Sequence, residues 1–235
     1  MTSMVIQAVF FDAAGTLIKT ARSVGESYAA IAEKYGMQVA PAALLPRFRA
    51  CFDGSSALAF PGAPAPTISE LEKAWWKRLV QQVFAPFGPF DRFDPYFDEL
   101  FGYFAQPESW VLYPEAGETL RALSQRGLKL AVVSNFDSRL SSILEGLGVA
   151  ASFDGIFISS SVGYAKPDRR IFDFVLKAHQ LAPEHVLHVG DSVTNDIDGA
   201  ANAGMKGILV DRKGAHQAAA VTRVASLKEI LDHLG

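Results

Sequence analysis

The 235-residue sequence predicts an α/β fold, a doubly wound, Rossmann-like parallel sheet with an all-helical module inserted after the first strand. Three observations predict it. Short apolar runs of strand length recur along the chain; glycine-terminated helical segments alternate with the later runs; and the stretch from residue 20 to residue 111 breaks that alternation.

The strand expected first is Val5 to Phe11, followed much later by Leu128 to Val133, Ile156 to Ile158, Val186 to Val189 and Gly207 to Val210. Helices are expected over Glu115 to Gln125, closed near Gly127, and Ser138 to Leu147, closed near Gly148, because a glycine past the last turn accepts the left-handed conformation there. Pro167 and Asp168 read as a turn into a helix over Arg170 to Ala178. In residues 20–111, Val24, Tyr28, Ile31, Ala32 and Tyr35 share one helical face. Thr67 and Glu70 have the spacing of a capping box ahead of Leu71, Trp75, Leu79 and Val83, and a third helix runs through Tyr96, Phe97, Leu100, Phe101 and Phe104. Gly54 to Pro66, rich in Gly, Ala and Pro, reads as a mobile or irregular loop. Ser226 and Glu229 form another capping box ahead of a C-terminal helix containing Leu231 and Leu234. The expected organisation is a core of residues 1–19 and 112–235 and a helical lid of residues 20–111.

Composition narrows the classes of function. With 49% hydrophobic and 20% charged residues the chain has the makeup of a folded globular protein. A net charge of −3 and the lack of any basic run argue against nucleic acid as a partner, since that affinity rests on clustered Lys and Arg. No apolar run reaches membrane-spanning length, so no membrane partner is expected. Met1-Thr2-Ser3-Met4 lacks the cationic start of a secretion signal, and the one cysteine, Cys51, has no partner for a disulfide; a reduced, cytoplasmic setting is the expectation. Oligomeric state is not written in the sequence.

Chemistry gathers where strands end, the edge at which parallel α/β sheets bind ligands. The first strand ends in Asp12, with Gly15 allowing a sharp turn; such an Asp also caps turns, so this segment alone leaves both readings open. The second ends in Ser134-Asn135-Phe136-Asp137, whose hydroxyl and amide donate hydrogen bonds to an anion, although one of them serves equally as a helix N-cap. After the third comes Lys166, which a rigid loop would project. The fourth ends in Asp191, with Asp196 five residues on. Two carboxylates beside one sheet edge can converge on a divalent cation, Asp191 directly and Asp196 through water or Lys166, and hard oxygen ligands favour Mg²⁺. Trp75, Trp76, Trp110 and the Phe side chains of residues 20–111 read as core, and the five histidines, His188 inside an apolar strand among them, have no ligand spacing.

In order and spacing the segments ending at Asp12, at Ser134, at Lys166 and at Asp191 resemble the four motifs of the haloacid dehalogenase superfamily, and the insertion after the first resembles its helical cap. Trp75-Trp76 and Ser134-Asn135-Phe136-Asp137 further resemble one subgroup within it. The resemblance implies an Mg²⁺-dependent hydrolase of a small phosphorylated substrate. In it Asp12 becomes a transient aspartyl phosphate, Asp12, the Ala14 carbonyl, Asp191 and Asp196 make the metal site, and Ser134, Asn135 and Lys166 bind the phosphoryl group, Lys166 also serving catalysis.

One position departs from the pattern. Phosphatases of the superfamily carry a general acid/base aspartate where this chain has Ala14, and losing that group typically costs on the order of a hundred- to ten-thousandfold in rate. Either the leaving group needs no proton, or a neighbour such as Asp137 donates it. Phosphonoacetaldehyde hydrolases share the alanine but use a cap lysine, and no lysine lies between Lys34 and Lys73; metal-free dehalogenases fit poorly with the pair Asp191 and Asp196. A phosphate-binding or regulatory protein with little turnover is the competing class.

Overall fold

The computed structural model describes residues 5–216 and 220–234, so the reading of Met1 to Met4 lies outside the described residues. The chain opens with β1 (Ala8–Phe11) and β2 (Ile18–Thr20), then passes through α1 (Val24–Lys34), α2 (Pro41–Asp53), α3 (Ile68–Phe84) and α4 (Phe93–Tyr103) to β3 (Trp110–Leu112). Alternation follows: α5 (Ala116–Gln125), β4 (Lys129–Ser134), α6 (Arg139–Gly146), β5 (Gly155–Ile158), the single turn α7 (Ser159–Val162), α8 (Arg169–His179) and β6 (Val186–Gly190). A π-helical turn over Val193–Asp198 leads into α9 (Gly199–Asn202), then β7 (Lys206–Val210), β8 (Arg223–Val224) and a 3₁₀ helix over Leu227–His233.

The expected doubly wound sheet forms. Its strand order is β5-β4-β1-β6-β7-β8, all pairs are parallel, and β1 lies at the centre with Phe10 in register with Ala131 and His188. The two-residue period of a strand splits β1 between two cores. Val9 and Phe11 join Leu120, Leu123, Leu140 and Ile143 on one face, whereas Ala8 and Phe10 join Ile171, Phe172 and Val175 on the other. At the ends of α5 and α6, Gly127 (φ 76°) and Gly148 (φ 73°) take the left-handed conformation as expected.

Residues 20–111 are mostly helical but not wholly so. β2 and β3 pair antiparallel where the chain leaves and rejoins the sheet, from Ile18 opposite Leu112 to Thr20 opposite Trp110. Beyond that ribbon α1 to α4 bury their own apolar cluster, including Tyr28, Leu44, Trp75, Leu79, Val83, Tyr96 and Phe97. α2 is a helix the periodicity did not reveal: Pro46 lies inside it, and of its residues only Leu44 is fully buried, so the apolar stripe is faint.

Two expected capping boxes do not form. Thr67 has helical dihedrals and gives its hydroxyl to the Pro64 carbonyl, because a 3₁₀ turn, Ala65–Thr67, precedes α3. Ser226 accepts only from the Lys228 amide, and the segment beyond it is 3₁₀ rather than α-helical. The capping box that does form is at Ser23 and Glu26, each side chain accepting the other's backbone N–H at 3.2 and 2.9 Å. The stretch Gly54 to Pro66 is irregular yet pinned: Trp75 Nε1 donates to the Ser56 carbonyl (3.0 Å) and Ser159 Oγ to the Leu58 carbonyl (2.6 Å).

Candidate active site

The strand ends converge as the sequence predicts. The Asp12 amide donates to the Val189 carbonyl of β6 (2.9 Å), which fixes the residue at the sheet edge. The loop after it doubles back, Leu17 and Ile18 both donating to the Ala13 carbonyl, and Gly15 holds φ 96° there. Glycine is also required sterically, since a Cβ on Gly15 would lie 2.1 Å from an Asp191 carboxylate oxygen.

Asp12 Oδ1 accepts from Ser134 Oγ (3.0 Å) and Lys166 Nζ (2.8 Å); among the described residues Oδ2 has no donor. Lys166 is 4% exposed and also donates to Asp196 Oδ1 at 2.5 Å. Asn135 does not offer its amide to an open anion site: Nδ2 donates to the Lys166 carbonyl and Oδ1 accepts from the Lys166 amide, both at 2.8 Å, a two-point clamp that orients the lysine. Asp196 is equally engaged, accepting from His188 Nε2 (2.9 Å) through Oδ1 and from the Ser192 amide (3.0 Å) through Oδ2. Gly190 leaves room for it, because a Cβ there would fall 2.0 Å from the Asp196 carboxyl carbon.

Charge at this edge is unbalanced. One carboxylate oxygen from each of Asp12, Asp191 and Asp196 lies within 4.8 Å of the others, against one ammonium, that of Lys166, among the described residues. Burial, with the charge of Asp196, raises the Asp12 pKa more than Lys166 lowers it. Asp191 faces the cavity, yet desolvation and the charges of Asp12 and Asp196 push it up to about 7. Burial also pushes Asp196 up, but Lys166 and the hydrogen bond from His188 outweigh it and hold the carboxyl well below its ordinary range. Burial lowers the Lys166 pKa, and Asp12 and Asp196 more than restore it; His188 is driven neutral by burial. Excess negative charge on oxygen donors alone, with Gly15 leaving space beside Asp191, fits a hard divalent cation.

These groups form the floor of a cavity of about 750 Å³. Its opposite wall comes from α2, the loop after it and α3: Phe52, Asp53, Ser55, Ser56 and Trp75. Ala14 is exposed to the cavity. Asp137 is not there. Its carboxylate is fully buried and accepts from Trp76 Nε1 (2.6 Å) and from Arg139 Nε (2.8 Å) and Nη2 (2.6 Å), so it is spent on holding α3 and does not reach the cavity as the proton donor expected of it.

A profile of the haloacid dehalogenase-like hydrolase family matches residues 6–204. The chain belongs to that family. This hydrolase is 38% identical over 209 residues to haloacid dehalogenase-like hydrolase domain-containing protein 3 of Bos taurus, covering 87% of the chain and 82% of the relative. That relative typifies the subgroup to which Trp75-Trp76 and Ser134 to Asp137 point. The chain is also 37% identical over 132 residues to a phosphoserine phosphatase of Thermus thermophilus, 54% of the chain and 53% of that relative. Among solved structures it superposes on the putative HAD-hydrolase YfnB of Bacillus subtilis, bound to magnesium, with TM-score 0.75 at 19% identity, covering 98% of this chain and 99% of that one.

Sequence reasoning missed four participants in this hydrolase. His188 was read as core, yet it sits two residues before Gly190, the end of β6, a position facing Asp196. Arg212 donates to the Gly15 carbonyl (2.9 Å), the Thr16 carbonyl (2.9 Å) and Glu115 (2.8 Å), bracing the loop that carries Ala14 from nearly 200 positions away, and no local signal marks it. Glu72 of α3 accepts from the Ser138 amide (2.9 Å) and hydroxyl (2.5 Å), capping α6 from the other side of the cavity. Asp53 lies in the helix that itself went unread.

Proposed function

We propose that this hydrolase is an Mg²⁺-dependent phosphomonoesterase acting on small phosphorylated molecules through Asp12. The observation that carries the reading is the Asp12 carboxylate. It is held through Oδ1 by Ser134 and Lys166, with Oδ2 undirected, on the floor of a cavity sized for a metabolite. Oδ2 attacks phosphorus, the bond from phosphorus to the alcohol oxygen breaks, and the departing alkoxide takes a proton from water because Ala14 has none to give. A water molecule then adds to phosphorus, the bond to Asp12 breaks, and inorganic phosphate leaves with the carboxylate restored. Lys166 and Ser134 orient the nucleophile and meet the phosphoryl oxygens, and Asn135 keeps Lys166 in place. Asp12, Asp191 and the Ala14 carbonyl would hold the cation, with Asp196 supporting from behind Lys166. When bound, Mg²⁺ supplies neutralisation of phosphoryl charge.

The relative from Thermus thermophilus, a phosphatase by description, supports the reaction class. The antiparallel ribbon and the separate apolar cluster beyond it support residues 20–111 as a lid over a core of residues 1–19 and 112–235. Ala14 favours a second reading, a phosphate-binding protein with little turnover. Steady-state phosphate release from a panel of esters with Mg²⁺ separates the two. Asp12→Asn is expected to lower kcat at least on the order of a thousandfold, and equal rates in the two proteins would overturn the phosphatase reading.

A further inference from the structure

The cavity has two unlike ends. Its floor carries Lys166, the one cationic side chain lining it among the described residues, and Lys166 is already shared between Asp12 and Asp196. Among the described residues the far wall offers no Lys or Arg to an anion. It offers instead the Asp53 carboxylate, which has neither an ion-pair partner nor a hydrogen-bond donor among the described residues. It also brings two aromatic rings to the cavity, Phe52 and Trp75, with centroids 6.1 Å apart at 84°; Phe52 is stacked in turn on Phe48 (5.7 Å) and Trp76 (6.1 Å), so the part of its ring left uncovered is what a ligand meets.

Phe52 is 40% exposed at the cavity, and Trp75, only 5% exposed, is fixed through its indole N–H to the Ser56 carbonyl. A second phosphate or a carboxylate on the substrate would face Asp53 without a counter-charge. A neutral apolar group would leave Asp53 desolvated and unpaired. A group both cationic and greasy satisfies all three side chains, because an ammonium is attracted to ring faces within about 6 Å and pairs with a carboxylate.

We propose that Phe52, Asp53 and Trp75 form an ammonium-recognition wall, so that the substrates are phosphate monoesters of ammonium-bearing alcohols. The proposal rests on the phosphomonoesterase reading above and names its substrate class.

The test compares three esters with the Mg²⁺-loaded protein: choline phosphate, its uncharged isostere 3,3-dimethylbutyl phosphate, and 2-phosphoglycolate, with p-nitrophenyl phosphate as a shape-independent reference. Expected is a kcat/KM about tenfold higher for choline phosphate than for the isostere, with 2-phosphoglycolate lowest. Asp53→Asn should bring the ratio of the first two esters close to one, and Phe52→Leu should narrow it in part. Equal or reversed preference overturns the proposal, as does an Asp53→Asn variant that slows both esters by the same factor, which would make Asp53 a proton donor or a packing residue. Hydrolysis of p-nitrophenyl phosphate that depends on Asp12 but shows no ammonium preference sinks this proposal alone. The absence of Asp12-dependent hydrolysis of any ester sinks the phosphomonoesterase reading together with it.

Discussion

The two sides of the cavity are built by opposite rules. At the sheet edge Asp12, Ser134, Lys166 and Asp196 are buried and tied to one another or to backbone, each by at least one short hydrogen bond. On the facing wall Phe52 and Asp53 stand exposed at the end of α2, and what is fixed there is backbone, through Trp75 and Ser159. The contrast teaches where each kind of change acts. Substitutions at the sheet edge disturb folding energy and chemistry together, since the same bonds serve both. Substitutions at Phe52 and Asp53 are expected to act on a bound ligand while leaving the fold almost untouched, whereas Trp75 belongs to the apolar cluster of α1 to α4.

Lys166→Met should show the largest combined effect. It strands Asp12 and Asp196 as buried carboxylates without their cation, and urea unfolding is expected to report a loss of about 3–5 kcal/mol along with activity. An unchanged midpoint would break the comparison. Ala14→Asp tests the edge in the other direction. The position opens on the cavity, and restoring a general acid should raise turnover of alkyl phosphates about a hundredfold while p-nitrophenyl phosphate, with its good leaving group, changes far less. Uniform acceleration of both would mean that proton delivery is not what the alanine removed.

Glu72→Ala probes the seam between the sides. It removes the acceptor of the Ser138 amide and hydroxyl, and because Ser138 is exposed water replaces that acceptor, for an expected loss of about 0.5–1.5 kcal/mol in chemical denaturation. The smallest effect concerns pH. In the metal-free protein Asp191 titrates near 7, raised above its unfolded value of 3.8, so its contribution to stability is present below pH 3.8 and is lost as pH rises to 7. Mg²⁺ needs the ionised form. Affinity should therefore fall as pH drops below 7 and level off above it, with calorimetry in two buffers registering proton release near pH 6. Asp191→Asn should abolish that release, and a flat profile in the unaltered protein would refute the assignment.

Much of the sheet edge was legible because parallel strands expose their carboxyl ends in a fixed place. Asp12, Ser134, Asn135 and Asp191 could be located by finding where apolar runs stop, and Lys166 and Asp196 by their place in the loops that follow. Their partners were harder to see. Asn135 reads as a donor to an anion until the Lys166 backbone is beside it, and Asp137 reads as a spare acid until Arg139 and Trp76 enclose it. These are relations between segments, to which spacing is blind. The wall was least legible. Pro46 obscured α2, and the loop beyond it owes its order to single bonds from Trp75 and Ser159 rather than to any turn-forming pattern of its own.

The central place of β1 also governs the order in which the molecule comes into being. During synthesis its neighbours β4 and β6 emerge long after it, Phe10 waiting for Ala131 and then for His188. α1 to α4 are contiguous and pair mostly with near neighbours in sequence, so they are complete well before those strands exist. On the ribosome the helices of residues 20–111 therefore precede the sheet, and Asp12 waits for both neighbouring strands before its carboxylate meets Ser134 and Lys166.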